Sequence, residues 1–228
     1  MPELGPSGDN FRKIQETRRS SFPETTEGAN KHRKEFDDAV RGAGLDVVGA
    51  GVENVVVSYK DKVAALARYS GEADGLTPEA RKARFYAQKV LHILFPQHFP
   101  KFHAVFHAPL SDTHMGEGTV RERIASGHEV GMDPEEDPLT KEAEILYNKL
   151  KELESYDIKI HDYLDLWGWN FHRVDEDVKY VDQIDGSFIQ TEKDVENLER
   201  YMTDKGYSEN EKRQAREFSK RAVELLHI

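Results

Sequence analysis

Residues 45–59 read LDVVGAGVENVVVSY, and the fold assignment depends on this stretch. It is dominated by valines and interrupted by Gly49 and Gly51. Valine suits the pleated, half-buried surface of a sheet, whereas glycine readily adopts the backbone angles of a tight turn. The stretch therefore predicts a strand, a glycine-bearing turn and a second strand. A polar turn at residues 60–62 and an apolar run over residues 63–69 extend it into an antiparallel meander of three strands.

Helices are predicted on both sides of this meander. Residues 30–41 form a short polar helical pattern that ends at Gly42 and Gly44, since glycine permits the positive φ of a helix terminus. Downstream, Thr77 is a helix-capping residue and Pro78 suits a first helical position. Apolar residues then recur at three-four spacing until the pattern ends before the next proline. This is the main helix of the N-terminal half.

The remaining pattern is two strands followed by helices. Residues 101–107 and 118–124 predict the strands, and residues 139–155 show the spacing of an amphipathic helix. Residues 191–228 predict two helices separated near Gly206. A sheet with helices placed around it in this order is an α+β fold.

Composition narrows the function classes. The chain has 228 residues, no cysteine and a net charge of -11. Disulfides, thiolate metal sites and cysteine nucleophiles are thereby excluded, and the negative charge disfavours nucleic-acid or anionic-lipid partners. No stretch approaches the roughly twenty apolar residues of a membrane span, and residues 1–30 lack the apolar run of a secretory signal. We therefore expect a cytoplasmic protein with a polar, disordered tail over residues 1–30.

A second stretch carries residues suited to metal-dependent chemistry. Residues 163–182 read YLDLWGWNFHRVDEDVKYVD. In it Asp165 is followed five positions later by Asn170, and twelve further on Asp182 ends a β-like run. Two short apolar runs between them predict a β-hairpin. Phosphoryl transfer needs a carboxylate that orients the attacking hydroxyl, and oxygen ligands that hold Mg²⁺ against the phosphates.

This spacing resembles the catalytic loop and metal-binding strand pair of the protein-kinase-like superfamily. The resemblance implies that Asp165 is the catalytic base or orienting group and that Asn170 and Asp182 bind the metal. It also implies ATP and Mg²⁺ as cofactors. Residues 49–56 resemble the kinase glycine-rich loop, with Gly49, Gly51, Asn54 and Val56 covering the nucleotide phosphates.

The sequence also departs from the family pattern. Kinases place a lysine on the third strand and pair it with a glutamate of the following helix. Here Arg68 is the best substitute for that lysine and Lys62 the next, while Gln88 lies about where the glutamate is expected. Arg68 and Gln88 are thus the remaining predicted cofactor-binding residues, and the alternative for Arg68 is a surface cation at a strand end.

The resemblance implies one kinase-like domain over residues 31–228 with a two-lobed fold. Its N-lobe, about residues 45–125, contains an antiparallel sheet and one main helix. A polar linker at about residues 126–137 leads to a reduced, mostly helical C-lobe at about residues 138–228. Because few residues follow the last metal ligand, peptide docking is not expected, and the C-terminal part is similar to that of small-molecule kinases such as the aminoglycoside phosphotransferases.

The expected function is transfer of a phosphoryl group from ATP to an unidentified hydroxyl acceptor, a small molecule. The alternative is a pseudokinase, which keeps the fold and nucleotide binding without transfer, and the missing lysine–glutamate pair favours it. Transfer of a nucleotidyl group stays open on residue types alone. The sequence names neither the acceptor nor the oligomeric state.

Overall fold

The structure, a computed structural model, describes most of the chain between residues 27 and 227. The described ranges are residues 27–50, 54–68, 77–124, 139–160, 171–174, 177–180, 184 and 187–227.

Five helices and seven strands occur in these ranges. The helices are α1 (Glu27–Gly42), α2 (Pro78–Leu94), α3 (Leu139–Glu154), α4 (Glu192–Asp204) and α5 (Glu209–Leu226). The strands are β1 (Val47–Ala50), β2 (Asn54–Tyr59), β3 (Lys62–Ala67), β4 (Phe102–Pro109), β5 (Met115–Glu122), β6 (Phe171–Val174) and β7 (Asp177–Tyr180). The α+β class predicted from the sequence is confirmed.

Local sequence signals account for the helix ends. The Thr77 hydroxyl accepts a hydrogen bond from the Ala80 N–H at 3.1 Å, which satisfies one of the free donors at the start of α2. Gly44 follows α1 with φ +73°, and Gly206 separates α4 from α5 with φ +75°. These are the positive angles that glycine adopts without strain.

The main sheet has five antiparallel strands in the order β1-β2-β3-β5-β4. The first three strands form the meander expected from residues 45–69. Strand β5 pairs with β3 and also with β4, so α2 connects β3 to the far edge of the sheet. Strands β6 and β7 form a separate hairpin with Phe171 opposite Tyr180.

One face of the sheet packs against α1, and we call it the α1 face. Phe36 and Val40 of α1 lie in a buried cluster with apolar residues of the strands. The strand residues of this cluster are Val55, Val57, Ala64, Leu66 and Val120. Each points to the same side because directly paired residues and alternate residues along a strand share a face. Helix α1 therefore belongs to the core of the sheet.

The opposite face, the α2 face, contacts α2. Arg81 of α2 forms an ion pair with Glu117 of β5, whose side chain is on this face. The other side of α2 is buried in a second core built with α3, α4 and α5. The α2 residues of that core are Ala87, Val90, Leu91 and Leu94. Helix α2 thus lies between the sheet and the C-terminal helices.

Several element bounds differ from the sequence-based prediction. Helix α1 begins at Glu27, so residues 27–30 are helical and do not belong to the predicted tail. Strand β5 begins at Met115, three residues before the predicted start. The early start was missed because Gly116 and Gly118 disfavour a strand locally, whereas pairing with β4 and β3 compensates.

The two-lobe arrangement remains a prediction. Helix α2 was expected as the main helix of the N-lobe, but much of its apolar surface is shared with the C-terminal helices. The predicted linker at residues 126–137 and the tail up to residue 26 lie outside the described ranges. None of the helices in those ranges combines the length and apolar character needed to cross a bilayer.

Candidate functional site

The candidate site is the polar layer between α2 and the sheet. On the α2 face one residue from each strand forms a continuous row across the sheet. The row consists of Gly49, Val56, Ala65, Thr119 and Val105, each paired with the next. Val56 is half-buried, whereas Ala65 and Thr119 are buried. The row therefore links the predicted phosphate-covering residues of β1 and β2 to the sheet surface beneath α2.

Two contacts fix the direction of α2 along β5. Near the start of the helix, Arg81 pairs with Glu117. Beyond its end, the Lys179 ammonium lies 3.1 Å from both the Pro96 carbonyl oxygen and the Glu122 carboxylate. Helix α2 and strand β5 therefore run side by side in the same direction.

This direction places Gln88 along the strand. Gln88 is seven residues after Arg81, an advance of about 10 Å along the helix axis. Along β5, Thr119 is about 7 Å and Arg121 about 14 Å beyond Glu117. Since residues seven apart share a helix face, Gln88 faces the sheet at a height between Thr119 and Arg121.

Two uncharged side chains buried in this layer have no hydrogen-bond partner in the described part of the chain. Gln88 is 1% exposed, and within the described ranges neither its amide oxygen nor its amide nitrogen has a hydrogen-bond partner. The Thr119 hydroxyl, in a residue 5% exposed, likewise has none. A buried polar group without a partner costs about 1–3 kcal/mol. Such a group is explained by strain, by an ordered water or ion, or by a functional role.

Among the described residues, the layer contains the charged side chains of Arg81, Glu117 and Arg121. Glu117 pairs with Arg81 and also lies 3.1 Å from Nδ1 of the exposed His107. Arg121 is 7% exposed and lies opposite Val63 of β3. Within the part of the chain that the structure describes, this layer therefore contains two guanidinium groups and one carboxylate.

Arg68 and Lys62, the two cations expected to replace the kinase lysine, have other partners. Arg68 donates from Nε and from a terminal nitrogen to both carboxylate oxygens of Asp37 on α1, at 2.9 and 2.8 Å. Lys62 donates to Asp61 at 2.7 and 2.8 Å. Arg68 lies against α1 and Gln88 lies on α2, across the sheet, so the structure does not bring the predicted pair together. The sequence-based reading missed this because Asp37 is 31 residues away.

The predicted hairpin forms and is anchored beside α2. The Tyr180 N–H donates to the His98 carbonyl oxygen at 2.7 Å, and the buried Tyr180 ring lies 5.8 Å from that of Phe99. The Ile184 carbonyl oxygen accepts a hydrogen bond from Arg84 of α2 at 3.4 Å. The chain before and after residues 181–183 is thus attached to α2 and to the turn that follows it.

Glu122 connects this hairpin to the sheet electrostatically. Burial by itself raises the pKa of the Glu122 carboxyl. The hydrogen bonds from the Lys179 ammonium and from the Lys101 backbone N–H outweigh burial, and the pKa lies below its usual value of 4.5. Glu122 is therefore ionised at neutral pH and ties β5 to β7.

The residues predicted to perform the chemistry lie outside the described ranges. These are Asp165, Asn170, Asp182 and the second loop glycine, Gly51. Among the described residues no group of three or more histidines and carboxylates is placed to hold a metal ion. The remaining predicted cofactor residues are described, and Gly49, Asn54 and Val56 lie in β1 and β2. Asn54 pairs with Ala67, which places it on the α2 face with the other two.

Sequence reasoning missed Arg81, Glu117, Thr119 and Arg121. For the three strand residues there was one local signal: polar residues alternate at positions 117, 119 and 121, and the positions between them are Gly118 and Val120. Such alternation normally indicates a solvent-exposed face. Here a helix covers that face, and only the fold shows that these residues are buried.

Comparisons with known proteins returned no relative: no family model, curated protein or solved structure matches the chain.

Proposed function

We propose that the protein is an ATP- and Mg²⁺-dependent phosphotransferase of kinase-like fold that acts on a hydroxyl group of a small molecule. In this proposal Asp165 orients the attacking hydroxyl and accepts its proton, and Asn170 and Asp182 hold Mg²⁺. Residues of β1 and β2 cover the phosphates. The acceptor oxygen attacks the terminal phosphoryl group of ATP, and ADP is the leaving group.

The observation that carries the proposal is the hairpin β6–β7. The spacing of Asn170 and Asp182 predicted a hairpin between them, and β6 and β7 are found there. Tyr180 and Ile184 then attach its second strand to the region of α2. The order of elements also supports the proposal, because a three-strand meander, a helix, two strands and a helix precede the hairpin.

Asp182→Asn tests the proposed metal ligand. The carboxylate is a strong ligand for Mg²⁺, whereas an amide is neutral and binds it poorly. We expect the variant to lose Mg²⁺-dependent ATP turnover by at least a hundredfold, as measured by release of ADP. Asp112→Asn, at an exposed loop position, is the matched control and should turn over like the wild type. Unchanged turnover in Asp182→Asn would refute the assignment.

The second candidate function is a pseudokinase, and one observation favours it. The residues of β3 on the α2 face are Val63, Ala65 and Ala67, so this strand contributes no cation there. A thermal-shift titration with Mg-ATP followed by a radiolabel transfer assay separates the two functions. Binding without transfer to any hydroxyl acceptor would select the pseudokinase.

A further inference from the structure

The unsatisfied polar groups beneath α2 point to a ligand contact that replaces the missing lysine of β3. We propose that Gln88, Thr119 and Arg121 contact the phosphates of the bound nucleotide. This inference rests on the proposed function, because it names the part of the protein that holds the nucleotide in that same site.

The paired strand residues on the α2 face set the distance between the predicted phosphate-covering residues and Thr119. Val56, Ala65 and Thr119 are directly paired neighbours on three adjacent strands, so Val56 and Thr119 are separated by two strand spacings, about 10 Å. The side chain between them, Ala65, is small but only 1% exposed, so a phosphate chain covered by β1 and β2 at Val56 must displace the groups covering Ala65 to reach Thr119. Exposure along this row falls from half-buried Val56 to Thr119, which is 5% exposed, and rises again to 38% at Val105, so the row is open at both ends and closed at its centre.

The three side chains carry hydrogen-bond donors that suit a phosphate. The amide nitrogen of Gln88 and the hydroxyl of Thr119 are donors that the protein leaves unused. Arg121 adds a guanidinium, whose planar donors suit phosphate oxygens in addition to partners within the protein. Together these groups supply hydrogen bonds and positive charge to a phosphate, but they offer little to an apolar ligand.

Replacing Gln88 and Thr119 by apolar side chains of nearly the same shape tests the contact. We compare the wild type with the double variant Gln88→Met and Thr119→Val, measuring binding of Mg-ATP, Mg-tripolyphosphate and adenosine by calorimetry. The variant should bind Mg-ATP and Mg-tripolyphosphate at least tenfold more weakly and adenosine equally well. Its unfolding temperature without ligand should be unchanged or higher, because two unsatisfied polar groups have been removed.

Arg121→Gln provides an independent check on the same contact. The substitution should weaken the binding of Mg-ATP more than the binding of adenosine. It should also reduce the salt dependence of Mg-ATP binding, since one cation is lost. Asp37→Asn is the control on the α1 face, where it breaks the pair with Arg68. It should lower the unfolding temperature and leave Mg-ATP affinity unchanged.

The outcomes separate this inference from the proposed function. If the wild type binds Mg-ATP and the double variant binds it equally well, the contact is overturned and the proposed function stands. If the double variant binds adenosine as much more weakly as it binds Mg-ATP, the contact is also overturned, because the residues would then act on the nucleoside. If the wild type binds none of the three ligands, the proposed function fails and the inference fails with it.

Discussion

Gly118 illustrates how a single position constrains the sheet. A Cβ atom built at Gly118 would lie 1.8 Å from the Ala65 carbonyl oxygen and 2.8 Å from its carbonyl carbon. Backbone atoms of a central strand cannot move away as a flexible side chain can. Glycine is therefore needed here for the close approach of β5 to β3, beside the row that leads to Thr119.

Gly118→Ala is expected to destabilise the protein by about 2 kcal/mol or more, because β3 and β5 must separate to accept the methyl group. The free energy of unfolding from urea titration measures this. Gly42→Ala is the matched control: Gly42 ends α1, and its added Cβ would meet nothing within 4 Å. The control should be neutral or slightly stabilising, since alanine favours helix more than glycine does. Equal stability of the two variants would contradict the close approach.

Arg68 shows why residue type alone is insufficient to assign a role. Its position at the end of the predicted third strand, directly after β3, predicted a phosphate contact, yet its guanidinium forms two hydrogen bonds with Asp37 and its side chain is 7% exposed. Arg121 has the same side chain and lies on the other face of the sheet. The two arginines lie on opposite faces of the sheet, and the fold decides which of those faces α2 contacts.

At the scale of elements, the hairpin β6–β7 depends on β5 and on the turn after α2. Lys179 bridges Glu122 and the Pro96 carbonyl oxygen, and Tyr180 hydrogen-bonds to His98. Lys149 of α3 also donates to Nε2 of His98 at 3.0 Å, so α3 joins the same junction. The position of the hairpin relative to the sheet is therefore held by polar contacts as well as by the buried Tyr180.

The Glu122 contact gives the fold a pH dependence of known sign. The pKa of Glu122 is lowered in the folded protein, so its stabilising effect is complete above the usual value of 4.5 and is lost as the pH falls through the folded-state pKa. Glu122→Gln should therefore be less stable than the wild type at pH 7, and the difference should shrink in acid below pH 4.5. Urea titrations of both proteins between pH 3 and pH 7 measure this. A difference independent of pH would show that the carboxylate charge is not what stabilises the junction.

At the scale of the whole molecule, α2 couples the two cores. Its Leu91 is fully buried among the C-terminal helices, whereas Arg81 contacts the sheet. The sheet cannot keep its α2 face covered once α2 loses its helical partners. We therefore expect the sheet and the C-terminal helices to unfold together.

Leu91→Ala tests this coupling. The cavity should destabilise the protein by about 3 kcal/mol. Amide hydrogen exchange should show reduced protection in β3 and β5 as well as in α4 and α5, because both depend on α2. Ile145→Ala on α3, where the side chain is 42% exposed, is the control and should have little effect. Wild-type protection of the sheet in Leu91→Ala would indicate two independent cores.

Much of the secondary structure followed from local patterns. The meander of β1 to β3, the start of α2 at Thr77 and Pro78, and the division of the C-terminal helices at Gly206 were all predicted. The beginnings of α1 and β5 were not, because polar or glycine-rich residues there are ordered by packing and pairing that no local pattern contains. For the candidate site, the sequence identified Gln88 but neither Thr119 nor Arg121.

The amino-acid sequence by itself established which segments become helices and strands, since periodicity, caps and turn residues act within a few positions. It also supplied the spacing of Asp165, Asn170 and Asp182 that motivates the proposed chemistry. The folded structure was needed to show that Arg68 belongs to α1 and that Thr119 and Arg121 lie beneath α2. The physical reason is that the face a side chain occupies depends on strand register and on the helix packed against it, and both are set by contacts between residues far apart in the chain.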